Sequence, residues 1–116
     1  MIFKRVHTIP IYKGRLIVAV CDNLQEIADA YEVEADMKGF TAFACDWMED
    51  TGHRVYLIGI RPDASPGVIA HESKHLVNRL FRFIGLQLDA NNDEAECYLL
   101  EWIVNRASTV LEKYKK

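Results

Sequence analysis

No stretch of the 116 residues approaches the roughly 18 consecutive apolar positions that a membrane helix requires. The opening MIFKRVHTIPIYKG also lacks the long apolar core of a signal peptide. Excess charge of either sign is missing too: the net charge is −3 and the isoelectric point near 5.8, so no nucleic acid or membrane surface is expected as a partner. Cysteine is sparse. Cys21, Cys45 and Cys97 are odd in number, far apart and without C-x-x-C spacing, so reduced thiols and a cytoplasmic location are expected, with no disulfide framework. With six glycines, three prolines and no repeat or low-complexity tract, nothing marks a linker, and residues 1–116 read as one domain. What is present is a globular mixture, half apolar and 27% charged.

Punctuation along the chain predicts seven elements. FKRVHTIPIY and RLIVAVCD read as strands joined around Lys13-Gly14, an antiparallel pair. Asp22 or Asn23 can cap a short helix, LQEIADAYEVEAD, in which Leu24, Ile27, Ala28 and Tyr31 recur at helical spacing. FTAFACDWM and HRVYLIGIR are two more strands around the hairpin sequence EDTG, where Gly52 can take positive φ. Ser65 then caps a helix with Pro66 at its first position, where the missing N–H costs nothing, and Gly85 should end it after Ile84. Asn91–Asp93 offers a cap for a last helix, from about Asp93 to Lys113. The expected class is α+β, an antiparallel sheet with helices in the order β-β-α-β-β-α-α.

The chemistry sits in GVIAHESKHLVNRLF, where His71, Glu72 and His75 form His-Glu-x-x-His. Residues four apart on a helix lie one above the other, so His71 and His75 can aim two imidazoles at one metal ion. Glu72, rotated by about 100°, can stand beside the metal without binding it. A hydrolytic zinc site uses that set: two neutral nitrogen ligands and a carboxylate that takes a proton from water. The bland alternative is a pair of exposed histidines. Val68, Ile69, Leu76, Val77, Leu80 and Ile84 make an apolar face, and His71 and His75 lie off it with Asn78 and Arg82.

After His75 come eighteen residues, 76–93, and then Glu94, in NNDEAECYLLEW. His-Glu-x-x-His, eighteen residues, Glu resembles the gluzincin class of zinc peptidases, closely over residues 65–102. More loosely, the whole chain is similar to small phage- or prophage-encoded proteins with an HE..H helix and a later DNDE…Y segment. The resemblance implies a minimal zincin-like domain over residues 1–116, acting in the host cytoplasm if phage-encoded. It also implies Zn²⁺ held by His71, His75 and Glu94, with Glu72 as general base. Glu96 is the rival third ligand, about 160° round the helix from Glu94. It falls among Leu99, Leu100 and Ile103, where an inward carboxylate needs a partner, whereas Glu94 shares a face with Tyr98, Glu101 and Asn105. Tyr98 is a candidate catalytic hydrogen-bond donor to a ligand carboxylate or a developing oxyanion, or else an aromatic with a wet hydroxyl. Asp93 or Glu101 could orient a ligand histidine. Arg79 and Arg82 read as carboxylate anchors or as solvated helix charges, and His7 and His53 match no ligand spacing.

The expected function is zinc-dependent hydrolysis of a peptide or protein substrate, laid by resemblance along HRVYLIGIR as an edge strand. The alternatives are a non-enzymatic modulator keeping a zinc site as scaffold, and a metal-free interaction domain. A cleft-closing subdomain has no room in this length. Apolar residues around much of the last helix, including Trp102, Ile103, Val104 and Leu111, read as deep burial or as a dimer contact.

Overall fold

The computed structural model describes residues 1–116 as β1 (Phe3–Thr8), β2 (Arg15–Val20), α1 (Leu24–Ala30), β3 (Ala42–Met48), β4 (Arg54–Ile60), α2 (Pro66–Ile84) and α3 (Glu94–Lys115). This is the α+β class and the element order expected. One sheet runs β1-β2-β4-β3. It is mixed rather than antiparallel: β1–β2 and β3–β4 are antiparallel, but β2 and β4 run parallel, Arg15 opposite Val55 through Val20 opposite Ile60. RLIVAV and RVYLIGI carry near-continuous apolar runs because each is covered on both faces, as parallel strands are. Helices lie on both sides. Leu16, Val18, Val20, Tyr56, Ile58 and Ile60 face α2 and α3, while Ile17, Ala19, Val55 and Leu57 face α1.

The turns explain the connections. Lys13 and Gly14 both take positive φ between β1 and β2, where Ile9 N–H donates to Gly14 O at 3.0 Å. Gly52 at φ 86° closes the β3–β4 hairpin through its N–H to Glu49 O. The first helix is shorter than expected and stops at Ala30. Asn23 caps it, its Oδ1 accepting from Gln25 N–H at 3.1 Å, but Val33 N–H turns back to Ala28 O at 2.8 Å and Glu32 goes left-handed at φ 57°. The Gln25 side chain then holds the following loop, donating to Ala35 O and accepting from Met37 N–H. A buried Met37 in this loop outweighs continued helical hydrogen bonding.

One strand assignment changes meaning with the topology. HRVYLIGIR, expected to be an edge, is the central strand β4, hydrogen-bonded to β2 on one side and β3 on the other. Its main chain has no free edge for another strand. The free edges belong to β1 and β3. No helix is long and apolar enough to cross a membrane.

Candidate metal centre

Helix α2 is set locally before it is set by packing. Ser65 Oγ accepts from Val68 N–H at 3.2 Å, Pro66 occupies the first turn, and Gly85 closes the helix at φ 83°. Ile69, Ser73, Leu76, Val77 and Leu80 recur at three and four residues and are buried against the sheet and α3. Each fully buried Leu is worth about 2 kcal/mol, so the rotation of the helix about its axis is fixed. That rotation turns His71 and His75 outward, and both are exposed. Ser73 is the one polar side chain on the buried face, and its hydroxyl has no hydrogen-bond partner.

The two histidine rings converge. Their Nε2 atoms lie 3.2 Å apart, with ring centroids separated by 4.8 Å and planes nearly perpendicular at 82°. Two nitrogens ~2.05 Å from a tetrahedral zinc ion are about 3.3 Å apart, so the pair already has the spacing of two zinc ligands. At that separation one ring N–H can donate to the lone pair of the other, the tautomers setting which. Glu72 stands alongside, its Oε2 3.9 Å from His71 Nε2, and its side chain is only 16% exposed against 67% for His71.

The carboxylates named for the third position lie on α3. No three His, Cys, Asp or Glu side chains are gathered in a metal-binding group. Glu94, separated from His75 by eighteen residues, begins α3 and is exposed, as are Tyr98, Glu101 and Asn105 on the same face. Glu96 belongs instead to the stripe Leu99, Ile103, Ala107 and Val110 that is buried in the core. Its carboxylate, 19% exposed, meets Lys74 Nζ of α2 at 2.8 Å. That is the partner an inward carboxylate requires. The Lys74 ammonium also donates to Asn78 Oδ1 one turn on. Nothing in the spacing of the sequence announces Lys74. Only the α2–α3 packing reveals it.

The remaining candidates disperse. Tyr98 is 67% exposed and lines an apolar groove of about 520 Å³ with Pro10, Ile11 and Tyr12 of the β1–β2 loop and Ala95 and Trp102 of α3. His71, Glu72 and His75 are not among the lining residues. Asp93 occupies the N-cap position of α3 but makes no side-chain cap bond. Trp102 and Val104 are partly buried and pack against the core that holds Ile103 and Leu111. His53 is exposed, and His7 meets Trp102 edge-on at 6.2 Å, its Nδ1 buried without a partner. Burial, and then the charges of Arg106, Lys113 and Arg5, hold His7 below the ordinary histidine pKa. Burial and then the nearby Asp46 charge push the Cys45 thiol up to about 11, so it is no nucleophile near neutrality.

Arg79, one turn beyond His75, does anchor a carboxylate, but one from its own chain. Its Nη1 lies 2.8 Å from Asp46 Oδ1 of β3, and Arg54 of β4 grips the other oxygen through Nε at 2.8 Å and Nη2 at 2.6 Å. The Asp46 side chain is 5% exposed. This three-residue knot fastens the histidine helix to edge strand β3. Sequence reading missed Asp46, whose only signal was a charge inside a β-rich run. No family model matches the chain, and no curated protein or solved structure does either.

Proposed function

We propose that the chain is a zinc-dependent hydrolase, acting on a peptide bond, with α2 as its reactive element. The observation that carries this reading is the 3.2 Å separation of His71 Nε2 and His75 Nε2, with the Glu72 carboxylate beside them. His71 and His75 would hold the ion, with a carboxylate from the start of α3 as the third ligand; the resemblance implies Glu94. When bound there, zinc supplies Lewis acidity that makes water a nucleophile near neutral pH and polarises the scissile carbonyl.

The protein's own groups do the rest. Glu72 accepts the proton of the attacking water and returns it to the leaving amine. Its partial burial beside an exposed histidine keeps the carboxylate at the rim of the site, where water and substrate arrive. An extended peptide finds its main-chain partners on the free edge of β3, since β4 is paired on both sides. The Asp46–Arg79 contact couples that edge to the helix carrying the base.

A second reading, a binding protein that keeps a metal site as scaffold, is favoured by one observation: Glu94 faces solvent. Two assays test the readings, and the second separates them. Zinc affinity should fall at least 100-fold in His71→Ala with the fold retained. Hydrolysis of a mixed peptide library by the zinc-loaded protein should drop about 10²- to 10⁴-fold in Glu72→Gln. Undiminished cleavage by Glu72→Gln refutes Glu72 as the base, absence of zinc-dependent cleavage by the wild type refutes the enzyme, and equal zinc binding by His71→Ala refutes both readings.

A further inference from the structure

We propose that Lys74 is a latch on the histidine pair. Its ammonium holds the carboxylate of Glu96, and a divalent cation entering between His71 and His75 takes Glu96 from it, so that Glu96 completes the ligand set in place of Glu94. This rests on the reading of His71 and His75 as metal ligands.

Three observations lead there. First, α3 turns Glu96, not Glu94, toward α2, because the two differ by about 160° around the helix and the stripe from Leu99 to Val110 is already committed to the core. Second, Lys74 immediately precedes His75 and follows His71 by three residues. Residues three apart on a helix stand about 5–6 Å apart at Cβ, so the Lys74–Glu96 pair, closed at 2.8 Å, lies on the side of α2 next to His71. Third, the ammonium has somewhere to go. Asn78 Oδ1 already accepts from Lys74 Nζ, and the side chain is 36% exposed, so release of Glu96 leaves it with an acceptor and water.

The physical exchange is of one cation for another. A carboxylate that is 19% exposed and held by a single ammonium is poorly hydrated. It gains by passing to a dication that two nitrogens already hold in place. No covalent bond is made or broken: the Lys74–Glu96 ion pair gives way to coordination, and the positive counter-charge that Glu96 loses with Lys74 is supplied by the metal. Metal entry would thereby also change how α2 and α3 are tied together, from an ion pair to a shared ion.

The test measures Zn²⁺ affinity by competition with a chromophoric chelator, in proteins whose fold is checked by circular dichroism. Lys74→Met should bind Zn²⁺ about tenfold more tightly than wild type, because no charge-assisted hydrogen bond has to be broken first. Lys74→Arg, which keeps the pair, should stay within about threefold of wild type, the spread expected from one retained contact. Glu96→Gln should abolish the gain in the Lys74→Met background and weaken binding in the wild-type background, whereas Glu94→Gln should change little. Unchanged or weaker binding by Lys74→Met overturns the latch, as does a gain that survives Glu96→Gln or a Glu94→Gln loss as large as that of Glu96→Gln. If wild type binds through His71 yet Lys74 has no influence, the latch alone fails. Binding indifferent to His71→Ala removes the metal reading, and the latch with it.

Discussion

Removing the carboxylate of Asp46 should cost more than any other single change at a charged residue. Asp46→Ala deletes three charge-assisted contacts, at 2.8 and 2.6 Å to Arg54 and 2.8 Å to Arg79, from a side chain 5% exposed. A fully buried pair broken in this way costs about 3–5 kcal/mol. The two guanidinium partners are 27% and 45% exposed, so both can recover water, and the expected cost falls to about 2–3 kcal/mol. Unfolding entropy near 2.1 cal/mol/K per residue over 116 residues gives about 0.24 kcal/mol/K, and hence a fall in Tm of about 8–12 °C. Calorimetry and urea denaturation should agree on the loss. Arg79→Gln, which removes only the half-exposed arm, should lose about 1 kcal/mol, or roughly 4 °C. A fall of less than about 3 °C in Asp46→Ala would refute the view that this knot fastens α2 to β3.

Two further outcomes follow from packing and charge. A Cβ on Gly59 would overlap Phe43 Cε1 and stand 3.0 Å from its Cδ1 and Cζ, and the ring is buried across the β3–β4 pair. Gly59→Ala should therefore lose about 2 kcal/mol by denaturant titration, and Phe43→Leu in the same chain should restore part of it; an unchanged midpoint would show that the ring yields freely. His7 has a lowered pKa, so the unfolded chain binds its proton more readily than the folded one. Stability from this group is complete above about pH 6.5 and is lost as pH falls below it toward the folded-state value. The Tm advantage of wild type over His7→Gln should shrink between pH 7.5 and 5.5, and an advantage that grows on acidification contradicts the burial of this ring.

What could be read along the chain was whatever depends on neighbours in sequence. Ser65, Pro66 and Gly85 bound α2 where expected, because an N-cap hydroxyl, a proline without an N–H and a left-handed glycine each act within one helical turn. Gly52 marked the β3–β4 hairpin for the same reason. The spacing of His71 and His75 put both rings on one face of α2, since four residues is about one turn whatever surrounds the helix.

Tertiary packing decided everything that depends on which face meets which. RVYLIGI held the sign of a doubly covered central strand in its unbroken apolar run, yet its partners, and the parallel pairing with β2, come from the order in which strands add to the sheet. Gln25, reaching to Ala35 and Met37, ended α1 early through a contact no helical period encodes. Asp46 and Arg79 meet across 33 residues of chain, and Lys74 meets Glu96 across a loop. The choice between Glu94 and Glu96 belongs with these. The helical wheel of α3 separates the two carboxylates by itself, but only burial of Leu99, Ile103 and Ala107 determines which of them looks at α2 and which looks at water.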